Sequence, residues 1–179
     1  MGFTQAVRIC FRKYVTFSGR ASRREYWLFV LFVVLGSIVA GILDGMAFGA
    51  SSFEVTDSGF SAQSNGPIAS IFSLLVFLPV LAAGWRRMHD SGRSGLFLLY
   101  PIIVTIGTFG FISMIGGTEA LAGGDLTALF SGALGLILVF AFFILAISPL
   151  LVIWWLTRPS QPGPNQWGPP VQTQSPERP

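Results

Sequence analysis

Four stretches of this 179-residue chain contain no Asp, Glu, Lys or Arg: Tyr26–Leu43, Ser58–Trp85, Ser94–Thr118 and Leu126–Thr157. They are 18, 28, 25 and 32 residues long. About 20 apolar residues, rising roughly 1.5 Å each, cross the ~30 Å hydrocarbon layer of a bilayer, so each stretch has the length of one membrane-spanning helix. With 52% hydrophobic and 11% charged residues and a mean hydropathy of +0.67, the chain keeps too little polar surface to wrap four such helices in a water-soluble core. Barrel strands would alternate apolar and polar residues, whereas these runs are continuous. The expected fold class is therefore an all-α integral membrane protein.

Three segments follow. Residues 1–25 form a basic amphipathic segment, residues 26–157 a transmembrane domain with helices at about 26–46, 67–89, 94–115 and 126–156, and residues 158–179 a tail with seven prolines. The 11 basic residues fix the orientation. Arg8, Arg12, Lys13, Arg20, Arg23 and Arg24 precede the first helix, Arg86, Arg87 and Arg93 lie in the second connection, and Arg158 and Arg178 follow the fourth helix. The other two connections contain no Lys or Arg. The positive-inside rule thus predicts that both termini are cytoplasmic. Small residues at Gly49-Ala50-Ser51 give the N-terminal region some likeness to a secretory signal, but the apolar run exceeds the roughly 7–15 residues of an h-region, so the first helix is expected to stay. Cys10, the single cysteine, has no partner in the chain for a disulfide.

Phe3, Val7, Cys10, Tyr14 and Phe17 recur at spacings of three and four with Arg8, Arg12 and Lys13 largely off the stripe, which predicts an amphipathic helix over residues 3–17. The preferred reading places it in the lipid headgroup region, and the other docks it under the helical bundle. Ser22 and Glu25 have capping-box spacing, which makes Glu25 a structural cap rather than an acid catalyst. Tyr26 and Trp27 suit the membrane boundary, and Asp44 is expected near the outer surface, within reach of water. The outer loop at about 49–65 reads as a flexible, solvated connection. Pro79 and Pro149 should bend the second and fourth helices, and beyond about Pro170 the tail should be disordered. SGRASRREYW (18–27) and SGRSGLFLLY (91–100) echo each other weakly, a pattern that chance accounts for better than a true repeat.

Three motifs carry a family resemblance: Tyr14…Phe17-Ser18-Gly19-Arg20-Ala21-Ser22-Arg23…Tyr26-Trp27, then Arg86-Arg87-Met88-His89-Asp90-Ser91-Gly92-Arg93-Ser94-Gly95, then Pro162-Gly163-Pro164-Asn165-Gln166-Trp167-Gly168-Pro169. In this order, over about Phe11–Pro170, they resemble the signatures of domain of unknown function family 805, small bacterial inner-membrane proteins. Leu96-Phe97 stands where the family often has other aromatics, and Gln166 where a basic residue is common. The resemblance implies a multi-helix plasma-membrane protein and no particular activity.

The candidate site is the set of polar residues around the second connection and the start of the first helix: Arg20, Arg23, Arg24, Arg86, Arg87, His89, Asp90 and Arg93. The planar fork of arginine suits phosphate, so the cluster could hold anionic phospholipid or a phosphorylated ligand, or it could serve only to satisfy orientation and lock the hinge through Arg–Asp pairs. Asp90 with Arg86 or Arg87 is the expected pair. His89 and Asp90 are sequence neighbours without an accompanying nucleophile, and one histidine with one cysteine makes a poor metal site, so no catalytic residue, metal or cofactor is expected. Nor is nucleic acid expected as a partner. The function read from the chain is a non-enzymatic binding or structural protein that holds anionic lipid, a second copy of itself or another membrane protein. The alternative is a subunit of a small oligomeric transporter or channel, which the absence of acids and bases from the helix interiors disfavours.

Overall fold

The protein is described by a computed structural model that covers residues 1–48, 53–56, 59–62, 66–115, 118, 123, 124, 127, 130 and 132–171. Helix α1 (Phe3–Arg12) precedes α2 (Arg23–Phe48). A small antiparallel hairpin, β1 (Phe53–Thr56) and β2 (Gly59–Ala62), leads to α3 (Pro67–Asp90). A 3-10 turn (Gly95–Leu99) runs directly into α4 (Tyr100–Met114), and α5 (Gly132–Thr157) completes the helices. Four helical segments have the length and apolarity to cross a membrane: Arg23–Phe48, Pro67–Asp90, Gly95–Met114 and Gly135–Thr157. Part of the outer loop, expected to be irregular, pairs Phe53 with Ala62 and Thr56 with Gly59. The start expected for the fourth helix, at 126–131, lies largely outside the described residues, as does the tail beyond residue 171.

The spanning helices are apolar on every side, and residues such as Leu31, Leu35, Ile38 and Ile42 of α2 are left uncovered by the chain itself. In a bilayer these faces are solvated by acyl chains, so polar groups rather than apolar stripes have to fix the arrangement. α2 and α3 form one helical hairpin, α4 and α5 the other. A core of Cys10, Tyr26, Phe29, Ala83, Met88, Val152 and Leu156 ties both hairpins and α1 together at the end of α3 that carries the arginines, called the basic end below. Ile112 and Leu138 form a second, smaller cluster between α4 and α5.

α1 is shorter than the predicted stripe. Ala6 and Cys10 are wholly buried, and Phe11 meets Phe29 and Phe32 edge-on with ring centroids 5.6 and 5.8 Å apart. These contacts are those of the docked reading. Tyr14 and Phe17 follow the helix as part of an irregular segment that returns to α3, where Phe17 packs edge-on to Trp85.

Asp44 is not at a water-facing surface. It is buried, its Oδ1 accepting from the Ile68 amide (3.0 Å) and its Oδ2 from the Ala69 amide (2.7 Å), so a side chain of α2 caps the first turn of α3. Those amides have no acceptor within their own helix, and the positive end of the helix dipole favours a carboxylate there. Gly66 makes room for the cap, since a Cβ at this position would lie 2.1 Å from Asp44 Cγ.

Candidate functional site

Three segments distant in sequence meet at the basic end: the entry to α2, the last turn of α3 with the connection after it, and the tail leaving α5. Backbone bonds register them, with the Ala21 amide donating to the Arg86 carbonyl (3.0 Å) and the Gln161 amide to the Asp90 carbonyl (2.9 Å). The α3 segment turns sharply after Ser91 because Gly92 adopts φ +80°, a left-handed conformation that suits glycine at a helix end. A Cβ on Gly92 would also meet the Gln161 side chain at 2.1 Å, so the same residue makes room for the tail.

Asp90 lies at the centre, with no exposed surface. Its Oδ1 accepts from Arg20 Nε (2.9 Å) and its Oδ2 from Arg87 Nη1 (2.5 Å) and from the Ser160 hydroxyl. The expected Arg87–Asp90 pair therefore forms, and Arg20 joins it across a separation of 70 residues. Arg86 points elsewhere, its Nη1 donating to Glu25 Oε1 at 2.7 Å. Half of the predicted capping box is present, in that the Glu25 amide donates to Ser22 Oγ (3.2 Å). The Glu25 carboxylate goes to Arg86 instead, because a buried guanidinium left without a counter-charge is more costly than an unmet amide at a helix start.

Beside this pair the Cys10 thiol faces Glu25 Oε1 at 4.0 Å. Burial first, and the Glu25 charge second, push the Cys10 thiol up to about 11, against an opposing pull from Arg86. Two nitrogens of Arg86, Nε and Nη2, are buried and have no hydrogen-bond partner among the described residues.

The tail completes the site, and sequence reasoning did not assign it this part. Arg20 Nη1 donates to the Gly163 carbonyl (2.8 Å) and Nη2 to the Gln161 carbonyl (2.6 Å). Arg87 Nε donates to the Leu156 carbonyl (2.9 Å) and Nη2 to the Arg158 carbonyl. The Asn165 side-chain amide donates to the His89 carbonyl (3.0 Å). The His89 ring stacks on Trp167 with centroids 4.5 Å apart and planes 8° from parallel, and its Nδ1 is 3.1 Å from the Gly19 carbonyl. A tryptophan and an asparagine embedded in a Pro/Gly-rich tail were the available signal, since neither is needed in a mere linker.

The eight candidate residues thus divide into two groups. Arg20, Arg86, Arg87, His89 and Asp90 are buried and hold one another, Glu25 and the tail. Arg23 and Arg24 are exposed and Arg93 half-buried, forming a basic rim with Arg158. Arg93 Cζ lies 5.7 Å from the centre of the Trp155 ring, and Arg158 Cζ lies 5.1 Å from that of Trp154. Among the described residues, all three ion pairs belong to the buried group, and no set of His, Cys, Asp and Glu is placed to hold a metal ion.

The comparisons with known proteins agree on the setting. A family model described as "Protein of unknown function (DUF805)" matches residues 14–169. Inner membrane protein YhaH of Escherichia coli (strain K12) is 38% identical over 97 residues, covering 54% of this chain and 71% of that protein. Inner membrane protein YhaI of the same strain is 35% identical over 96 residues, with 54% and 70% covered. No solved structure matches. Residues 14–169 run from the first residue of the first motif to the last of the third, so the matched region includes every segment of the buried site.

Proposed function

The chain belongs to the DUF805 family as a multi-pass inner-membrane protein, and from that premise we propose that it is a non-enzymatic binding protein whose basic end faces the cytoplasm and holds anionic lipid headgroups. The buried group is the scaffold in this reading, and the rim is the binding surface. The observation that carries it is the separation of charge by exposure: the carboxylates of Glu25 and Asp90 are used internally, so Arg23, Arg24, Arg93 and Arg158 present positive charge without a carboxylate within ion-pair distance among the described residues. Lysine and arginine close to an anionic leaflet gain about 1 kcal/mol each, and the stacking of Arg93 and Arg158 on tryptophans fixes them at the depth where indole rings prefer to lie. In this reading the positive-inside rule puts the rim and both termini on the cytoplasmic side.

A non-enzymatic role is favoured by the use of the polar groups. The His89 ring is stacked and its Nδ1 lies against a carbonyl, while both oxygens of Asp90 are engaged. A transporter reading loses support because Asp44, the acid of α2 that lies away from the basic end, is a helix cap.

Native mass spectrometry of the full chain released from its own membrane provides the test. Wild type should retain phosphatidylglycerol or another anionic lipid, and a folded Arg23→Gln/Arg24→Gln variant should lose most of it. Equal retention by both proteins, or retention of zwitterionic lipid alone, would overturn the reading.

A further inference from the structure

The buried group has more positive than negative charge. Among the described residues, Arg20, Arg86 and Arg87 are matched by only Glu25 and Asp90, and Arg86 still has two nitrogens without an acceptor. A surplus guanidinium inside a protein calls for an anion, or failing that for several well-aimed dipoles. Here the tail supplies the dipoles. Arg20 places two nitrogens on tail carbonyls and Arg87 places one, its Nε going to the Leu156 carbonyl at the end of α5, so each guanidinium faces two carbonyl oxygens, as it would on one edge of a phosphate.

The choice of carbonyls is informative. Three of the four belong to Arg158, Gln161 and Gly163, which immediately precede Pro159, Pro162 and Pro164. A peptide bond to proline has an oxygen and no N–H, so it offers an acceptor without a donor that would repel the guanidinium. At these three peptide bonds the tail thus offers oxygens with no adjoining donor, while the Gln161 amide is taken up by the Asp90 carbonyl.

The tail has little apolar anchorage. Ser160, Gln161, Pro162 and Pro164 are exposed, and apart from polar bonds the described tail is anchored chiefly by the Trp167–His89 stack. A segment with few buried apolar contacts opens at a free energy well below that of global unfolding.

We propose that Arg20 and Arg87 form a second binding site, for a phosphate group, that residues 158–171 occupy as an internal stand-in and vacate when phosphate binds. This rests on the reading of the basic end as anion-binding and adds a site beneath the rim. The phosphate comes from a lipid headgroup or from solution, and both sources present the same oxygens to the forks.

The test uses the full chain in three media: maltoside micelles, which contain no phosphate, the same micelles with millimolar inorganic phosphate, and the same micelles with added phosphatidylglycerol. Hydrogen exchange is read at the Gln161, Asn165 and Gly168 amides, relative to amides inside α3. Site occupancy should accelerate the tail amides by about tenfold or more. Acceleration by phosphatidylglycerol alone assigns the lipid as source, and acceleration by inorganic phosphate alone assigns the soluble ion. A Trp167→Ala variant, which loosens the tail without touching either arginine, should reach half-maximal acceleration at lower phosphate or lipid content. Unchanged exchange in all three media, for wild type and Trp167→Ala alike, overturns the proposal. Lipid retention measured on the same samples separates the two levels: phosphatidylglycerol retained with unchanged exchange leaves the rim reading intact and removes only the buried site, whereas no retention and no acceleration remove both.

Discussion

Tyr14 donates its hydroxyl to the carbonyl of Leu75 at 2.7 Å. Leu75 lies four residues before Pro79, so its carbonyl is the one that a proline inside α3 leaves without an amide donor. An unmet carbonyl within a spanning helix is costly where no water can reach it, and the segment after α1 supplies the missing donor. α5 has the same problem at Pro149, and its Leu145 carbonyl accepts from its own Ser148 hydroxyl at 2.9 Å. The two helices therefore accommodate proline by different means, one local and one tertiary.

The Tyr14 bond has a measurable consequence. Tyr14→Phe should destabilise the protein by about 1 kcal/mol, the usual net worth of a neutral hydrogen bond. In a Pro79→Ala background, where Leu75 recovers an amide, the same change should have a smaller effect. Unfolding in mixed detergent micelles measures both, and equal effects in the two backgrounds would show that the hydroxyl does not serve this carbonyl.

Among the described residues, Asp90 is the only carboxylate paired with the two buried guanidinium groups of Arg20 and Arg87. Asp90→Asn should therefore cost about 3–5 kcal/mol, the range for removing one partner of a buried pair. Arg93→Gln, on the rim, should cost no more than about 1 kcal/mol. Comparable losses for the two variants would contradict the division into scaffold and rim.

The Cys10 thiol, held near 11 against an ordinary 9.0, makes stability depend on pH in a defined direction. Between those values the unfolded chain releases the proton and the folded chain keeps it, so stability is full below about 9 and declines as pH rises toward 11. A Cys10→Ala variant should lack this alkaline decline. At neutral pH the folded protein should react with maleimide far more slowly than the unfolded protein, because the thiolate is the reactive form.

Asp44 accepts from two amides of α3, so Asp44→Ala should cost about 1–2 kcal/mol, and Asp44→Asn less because one oxygen remains. The destabilisation should not depend on the membrane potential or on an added substrate. A wild-type-like unfolding curve for Asp44→Ala would rule out the capping role.

Much of this architecture is legible in the chain. Runs without charge set the number of spanning helices, and the clustering of Arg86, Arg87, His89 and Asp90 marks the site, because a bilayer leaves few other places for charge. The i,i+3 pair Arg87–Asp90 is also legible, being local. What spacing does not give is the choice among equivalent partners: Glu25 takes Arg86 across 61 residues instead of its own N-cap amide, and Asp44 serves a neighbouring helix. The tail escapes notice for a different reason. Pro-rich composition reports correctly that no apolar core will form there, but it says nothing of carbonyls held by buried arginines.

The central claim is that the three motifs fold into one unit with the tail seated on the end of α3. It is tested most directly by a distance between spin labels at Ser18 and Gln166, both exposed, in a Cys10→Ser background of the full chain in phosphate-free maltoside micelles. A single narrow, short distance is predicted, and it should broaden when Asp90→Asn is added. A broad distribution in the unmodified site, of the kind expected for a free proline-rich tail, would contradict the account.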